Sequence, residues 1–183
     1  MDLEEYLISK FSAVIRSWPS ELRHDIYALS LYRDDDSVPY RPAVYLVYNT
    51  LTHAQSRKPG NLDDNESRWN LALWQHDQWV GIEDQPDGYG KGLDEKGTQD
   101  LDIWLRSARQ EHGDDVGSLI AAFAALCVRV ARRLHEIGVI RESFGRDIPI
   151  IMHDDEWSED MDQNTEKANP PGVAKEFLEA VVF

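Results

Sequence analysis

Ile26-Tyr27-Ala28-Leu29-Ser30-Leu31-Tyr32-Arg33 and, beyond a polar turn, Ala43-Val44-Tyr45-Leu46-Val47-Tyr48 are the two stretches on which the fold turns. In the first, Tyr27, Leu29 and Leu31 alternate with Ala28, Ser30 and Tyr32. A period of two sends the two sets to opposite faces of a strand. The second is rich in β-branched and aromatic residues, which suit a pleated, half-buried surface. Between them Asp34-Asp35-Asp36-Ser37 and Pro39 supply turn chemistry. The pair reads as an antiparallel hairpin with a wide loop.

Upstream, Leu3, Leu7, Phe11, Val14, Ile15 and Trp18 recur at spacings of three and four, which predicts a helix over 2–18, closed at Pro19. Downstream, residues 50–67 are polar and read as a loop around Pro59-Gly60. Trp69 to Trp74 reads as a third strand with Trp69, Leu71 and Leu73 on one face, although six residues leave a short helix open as well. Trp79-Val80-Gly81-Ile82 reads as a fourth strand or a strand end, and the glycine-rich stretch 84–97 as a loop.

Two helices should follow. One is capped by Thr98, carries Leu101, Trp104, Leu105 and Ala108 inward, and ends at Gly113. The other starts at Asp114 or Asp115, carries an apolar stripe from Leu119 to Ile137, and closes at Gly138. Ile148 to Met152 predicts a last strand, at an edge or starting at Pro149. Residues 155–167 predict an acidic helix broken by Asn169-Pro170-Pro171-Gly172, and 173–182 a terminal helix. Strands early and helices late imply an α+β fold: an antiparallel sheet of about four to five strands with helices packed on a face. At 183 residues the chain reads as a single globular domain, 1–183.

Nineteen basic against thirty-four acidic residues leave a net charge of −15, which argues against a surface that grips nucleic acid or an anionic membrane. The acidity is uneven. Residues 61–120 carry five basic and fourteen acidic residues, and 147–183 two and ten, whereas 121–146 hold five basic and two acidic. The plain reading of this pattern is solubility. The sharper one is a surface that meets a basic partner.

The one cysteine, Cys127, lies on an apolar helix stripe and reads as a small core residue. It can form no intramolecular disulfide, which fits a reducing compartment. The acidic start Met1-Asp2-Leu3-Glu4-Glu5 is no secretory signal. Val116 to Val128, thirteen residues, is too short to span a bilayer. The expectation is a soluble, cytoplasmic protein without a membrane partner.

No catalytic motif emerges. There is no Gly-x-Ser-x-Gly elbow, and Gly88, Gly90 and Gly92 lack the lysine of a phosphate loop. His153-Asp154-Asp155-Glu156 holds imidazole and carboxylates but not the spacing of a metal helix or calcium loop; acids there suit a helix start. No catalytic residue, metal or cofactor is expected. Trp157, set among acids, has the makings of an interface anchor. The reading preferred over it is that Trp157 and Met161, four apart, form the inward stripe of a helix.

Asp25 to Tyr32, Tyr48-Asn49-Thr50, Glu66-Ser67-Arg68-Trp69-Asn70, Phe144-Gly145 with Ile148 to Asp154, and Ala168-Asn169-Pro170-Pro171 carry a resemblance. Together they resemble uncharacterised bacterial domain-of-unknown-function proteins. These are similar to the small acidic immunity proteins encoded beside toxins in polymorphic-toxin and interbacterial-competition loci. The resemblance implies a cytoplasmic, non-enzymatic protein that neutralises a cognate protein toxin by occluding its active site. It brings no catalytic residue with it. If the toxin acts on nucleic acid its groove is basic, and an acidic plug mimics the phosphate chain. The segment expected to bind it comprises Asp154, Asp155, Glu156, Trp157, Glu159, Asp160 and Asp162. The alternative is a small enzyme built around His153, Asp154 and Glu156, which requires those side chains to converge.

Overall fold

The computed structural model describes residues 2–35, 40–56, 64–74, 80–82, 94–154 and 159–180. Its centre is the expected hairpin: β1 (Ile26–Asp34) runs antiparallel to β2 (Ala43–Thr50), with Leu29 opposite Tyr48 and Tyr32 opposite Tyr45. A bulge between Ile26 and Ala28 shifts the register, so Tyr27 joins the face of Ala28 instead of that of Leu29.

The rest of the sheet departs from expectation. β4 (Ile150–His153) lies on the far side of β1 and runs parallel to it, Leu29 opposite Ile150 and Tyr32 opposite His153. The sheet is therefore mixed, not antiparallel. Among the described residues it has three full strands plus a three-residue piece, β3 (Val80–Ile82), on the outer side of β2. The physical reason is connectivity. The chain between β2 and β4 is too long for a hairpin return. Its last part, after β3, crosses one face in helices and re-enters beside β1 in the same direction, the long connection that parallel pairing needs.

Those crossing helices are α5 (Glu95–His112), α6 (Val116–Glu136) and α7 (Val139–Phe144). With α1 (Leu3–Ser17) they bury Leu29, Leu31, Leu46, Tyr48, Ile150 and Met152 on one face of the sheet. The short helix α2 (Ser20–Asp25) links α1 to β1. The other face is covered too. Ala54 of α3 (Leu51–Ser56), Trp69 of α4 (Asp64–Trp69), Trp74, Met161 of α8 (Glu159–Ala168) and Phe177 of α9 (Lys175–Ala180) pack on Tyr27, Ala28, Tyr45, Val47 and Ile151. Helices thus lie on both faces where the sequence suggested one. α8 places Met161 in the second core and Ala168 in the first, so it runs along the β4 edge.

Trp69 to Trp74 is not a strand. It is the end of α4, then Asn70, then a 3-10 turn at Leu71–Leu73 capped by the Asn70 side chain, which accepts from Ala72 N at 3.0 Å. Both tryptophans still turn inward, meeting the Tyr27 ring edge-on with centroids at 5.3 and 6.5 Å. That shared burial is what the apolar alternation recorded. α3 begins directly after β2 because Thr50 Oγ1 accepts from His53 N at 3.1 Å. Cys127 is buried, as its stripe implied. α6 ends before Gly138, whose left-handed φ of 81° turns the chain straight into α7, a helix the sequence did not announce.

α5 starts a turn earlier than expected. Asp94, not Thr98, is its cap, accepting from Gly97 N at 2.9 Å. Asp94 also accepts from the Tyr6 hydroxyl at 3.1 Å, tying α5 to α1. Burial and that carboxylate push the Tyr6 phenol up to about 12. Asp94→Ala is expected to cost about 1 kcal/mol in urea denaturation. Thr98→Ala should stay within about 0.5 kcal/mol. Equal losses would contradict the capping assignment.

Candidate functional site

The expected site residues lie where β4 ends and α8 begins, and consecutive side chains there part company. His153 points into the second core. Its Nδ1 and Ser30 Oγ share a hydrogen bond of 2.8 Å, and its ring meets Trp74 and Phe177 edge-on at 5.6 and 6.0 Å. Burial lowers its proton affinity from the ordinary 6.5 to about 4, with the Trp69 backbone pulling the other way. The imidazole is therefore neutral at pH 7. Ser30 and His153 are a hydroxyl–base pair in composition only. Both are buried, and among the described residues no carboxylate bonds to the ring.

Asp154 turns to Arg33, whose Nη2 meets Asp154 Oδ2 at 2.9 Å. Arg33 and Ser30 stand three apart on β1, so their side chains leave opposite faces of the sheet. His153 and Asp154 are separated by the sheet itself. Glu156, the third member of the enzyme alternative, lies outside the described residues, as do Asp155 and Trp157. Among the described residues no group of three or more histidine, cysteine or acidic side chains is placed to hold a metal ion. The Cys127 thiol is pushed up to about 12 by burial, which keeps it protonated.

Arg33 organises this end of the sheet. Besides Asp154 it faces Asp35, Nη1 to Oδ2 at 3.6 Å, and Asp35 Oδ1 accepts from the Tyr40 hydroxyl at 3.0 Å. Arg109 Nη2 donates to the Tyr40 carbonyl at 3.3 Å, linking α5 to the same end. One guanidinium thus holds the chain leaving β1 and the chain leaving β4. The sequence reading passed over Arg33 as the close of a strand. Its signal was parity: a charged residue in phase with Leu29 and Leu31 is directed at a core and needs partners.

α8 carries the remaining expected residues. Met161, Thr165 and Ala168, spaced four and three apart, are its buried stripe. Asp160, Gln163 and Glu166 are exposed on the opposite side, and Asp162 is half-buried. Glu159 is the first residue of the helix. Met161 behaves as the inward-stripe reading required. No protein-family model, curated protein or solved structure matches this chain. Among the described residues no helix is long and apolar enough to cross a membrane.

Proposed function

We propose that this chain is an acidic, cytoplasmic binding protein of the immunity type, which neutralises a cognate protein toxin by occluding a basic active-site groove. The supporting observation is the division of α8 into two faces. Its inner face is fixed to the sheet through Met161, Thr165 and Ala168, so Asp160 and Glu166 stand outward on an anchored helix. An acidic surface on a rigid element attracts a basic partner at long range without paying to order itself. Asp154 is held by Arg33, and Asp155, Glu156, Trp157, Glu159 and Asp162 belong to the proposed binding segment by their place in the sequence. The enzyme alternative is disfavoured because His153 and Asp154 diverge.

The test is to co-express the chain with the product of the neighbouring gene, isolate the complex, and follow association by stopped flow at several salt concentrations. Asp160→Lys with Glu166→Lys should slow association by about tenfold at low salt and flatten the salt dependence, leaving dissociation nearly unchanged. Stability should stay within about 0.5 kcal/mol, since both side chains are exposed. Failure to form a complex, or an association rate indifferent to salt in the parent chain, would overturn the reading.

A further inference from the structure

The outer rim of β4 is finished by side chains. Ile150 N donates to Asn169 Oδ1 at 2.8 Å, and Asn169 Nδ2 donates back to the Ile150 carbonyl at 2.8 Å. That reciprocal exchange is the pattern of a hydrogen-bonded pair in an antiparallel ladder, with a carboxamide in place of a peptide group. Two residues on, Met152 N donates to Thr165 Oγ1 at 3.0 Å. Positions i and i+2 are the outward set of an edge strand, and here each outward N–H meets a side chain of the α8 segment.

The substitutes are themselves held. Asn169 Nδ2 also donates to the Thr165 carbonyl at 2.7 Å, and His135 Nε2 lies 3.1 Å from Asn169 Oδ1. Arg132 donates twice to the Lys167 carbonyl, at 3.1 and 2.6 Å, fixing the end of α8 to α6.

We infer that α8 is an edge stop: Asn169 and Thr165 occupy the rim of β4 as a neighbouring strand would, and so keep β4 from pairing with β4 of a second copy of this chain. Natural edges are commonly blunted by charge or proline within the strand. Ile150-Ile151-Met152 has neither, and only Pro149 precedes it. Two such strands related by a two-fold axis would set uncharged residues against uncharged residues, with no like charges opposed. The self-complementary occupant is therefore the second copy, and α8 is what denies it the edge.

The experiment uses the full chain with Thr165→Val, which removes one hydroxyl at nearly constant shape, and with Thr165→Val plus Asn169→Ala. Mass by light scattering across concentration and amide hydrogen exchange are both read. Thr165→Val should speed exchange at Met152 by about tenfold or more. The double variant should associate more strongly than the parent, and its associated form should regain protection at Ile150 and Met152 while α8 exchanges fast. Two results would overturn the inference. One is a double variant whose β4 amides exchange fast but whose mass equals that of the parent at every concentration. The other is association accompanied by lost protection across β1 and β2, which is aggregation of unfolded chain.

Discussion

Replacing Arg33 with alanine is expected to lower the unfolding free energy by about 3–5 kcal/mol at pH 7. The Arg33 side chain is only 7% exposed, and the carboxylates it faces, Asp35 and Asp154, are 15% and 19% exposed. An ion pair so far from water contributes little net stability when intact, because desolvation offsets attraction. Removing the guanidinium alone is different: two carboxylates, each mostly shielded from water, keep much of their desolvation cost and lose the attraction of Arg33. Arg33→Met, which keeps most of the apolar stem, should recover only the packing part of the loss. Adding Asp154→Asn to Arg33→Met should recover more, since one of the two carboxylate charges is then gone. The order alanine, methionine, methionine with asparagine, from least to most stable, is checked by urea denaturation with a common slope. A loss below about 1 kcal/mol for Arg33→Ala would mean the pairs behave like exposed ones and the placement of Arg33 is wrong.

Arg33 also marks the boundary of what could be read from sequence. The two central strands were legible because alternation and β-branched composition are local signals, and β1 and β2 formed close to their predicted bounds. The long helices were legible for the same reason, down to the terminating glycine of α5. The sheet topology failed because it is non-local. Parallel pairing of β1 with β4 joins residues about 120 apart in sequence, and nothing in Ile150 to His153 states a direction. The Trp69 to Trp74 segment failed because two inward tryptophans flanking a tight turn mimic a strand. The polar contacts that organise the candidate site, Arg33 with Asp154 and Ser30 with His153, cross the same gap, so their partners were invisible too. The α8 face was half-legible: the spacing of Met161 announced an inward stripe, and its docking through Thr165 and Asn169 did not.

Acid should expose the cost of keeping His153 uncharged. The unfolded chain binds a proton at His153 with an ordinary value near 6.5, and the folded chain only near 4. Above pH 6.5 the ring is neutral in both states and imposes no penalty. As pH falls from 6.5 toward 4, the unfolded state gains a proton that the folded state refuses, so stability falls through that window. At about 1.36 kcal/mol per unit the full penalty is about 3 kcal/mol, with about 2 kcal/mol of it already present at pH 4.5. His153→Gln keeps a polar group near Ser30 and cannot titrate. The variant should be less stable than the parent at pH 7, because the fit against Trp74 and Phe177 is disturbed. Its disadvantage should then shrink by about 2 kcal/mol at pH 4.5. Asp94, Asp115 and Asp147 have carboxyls held below their usual value and also lose stability in acid, but they are common to both proteins and cancel in the difference. Urea denaturation of both proteins at pH 7 and pH 4.5 gives that difference directly. A gap between them that does not change with pH would mean that His153 titrates as an exposed histidine does and that the Ser30–His153 pair is open to water.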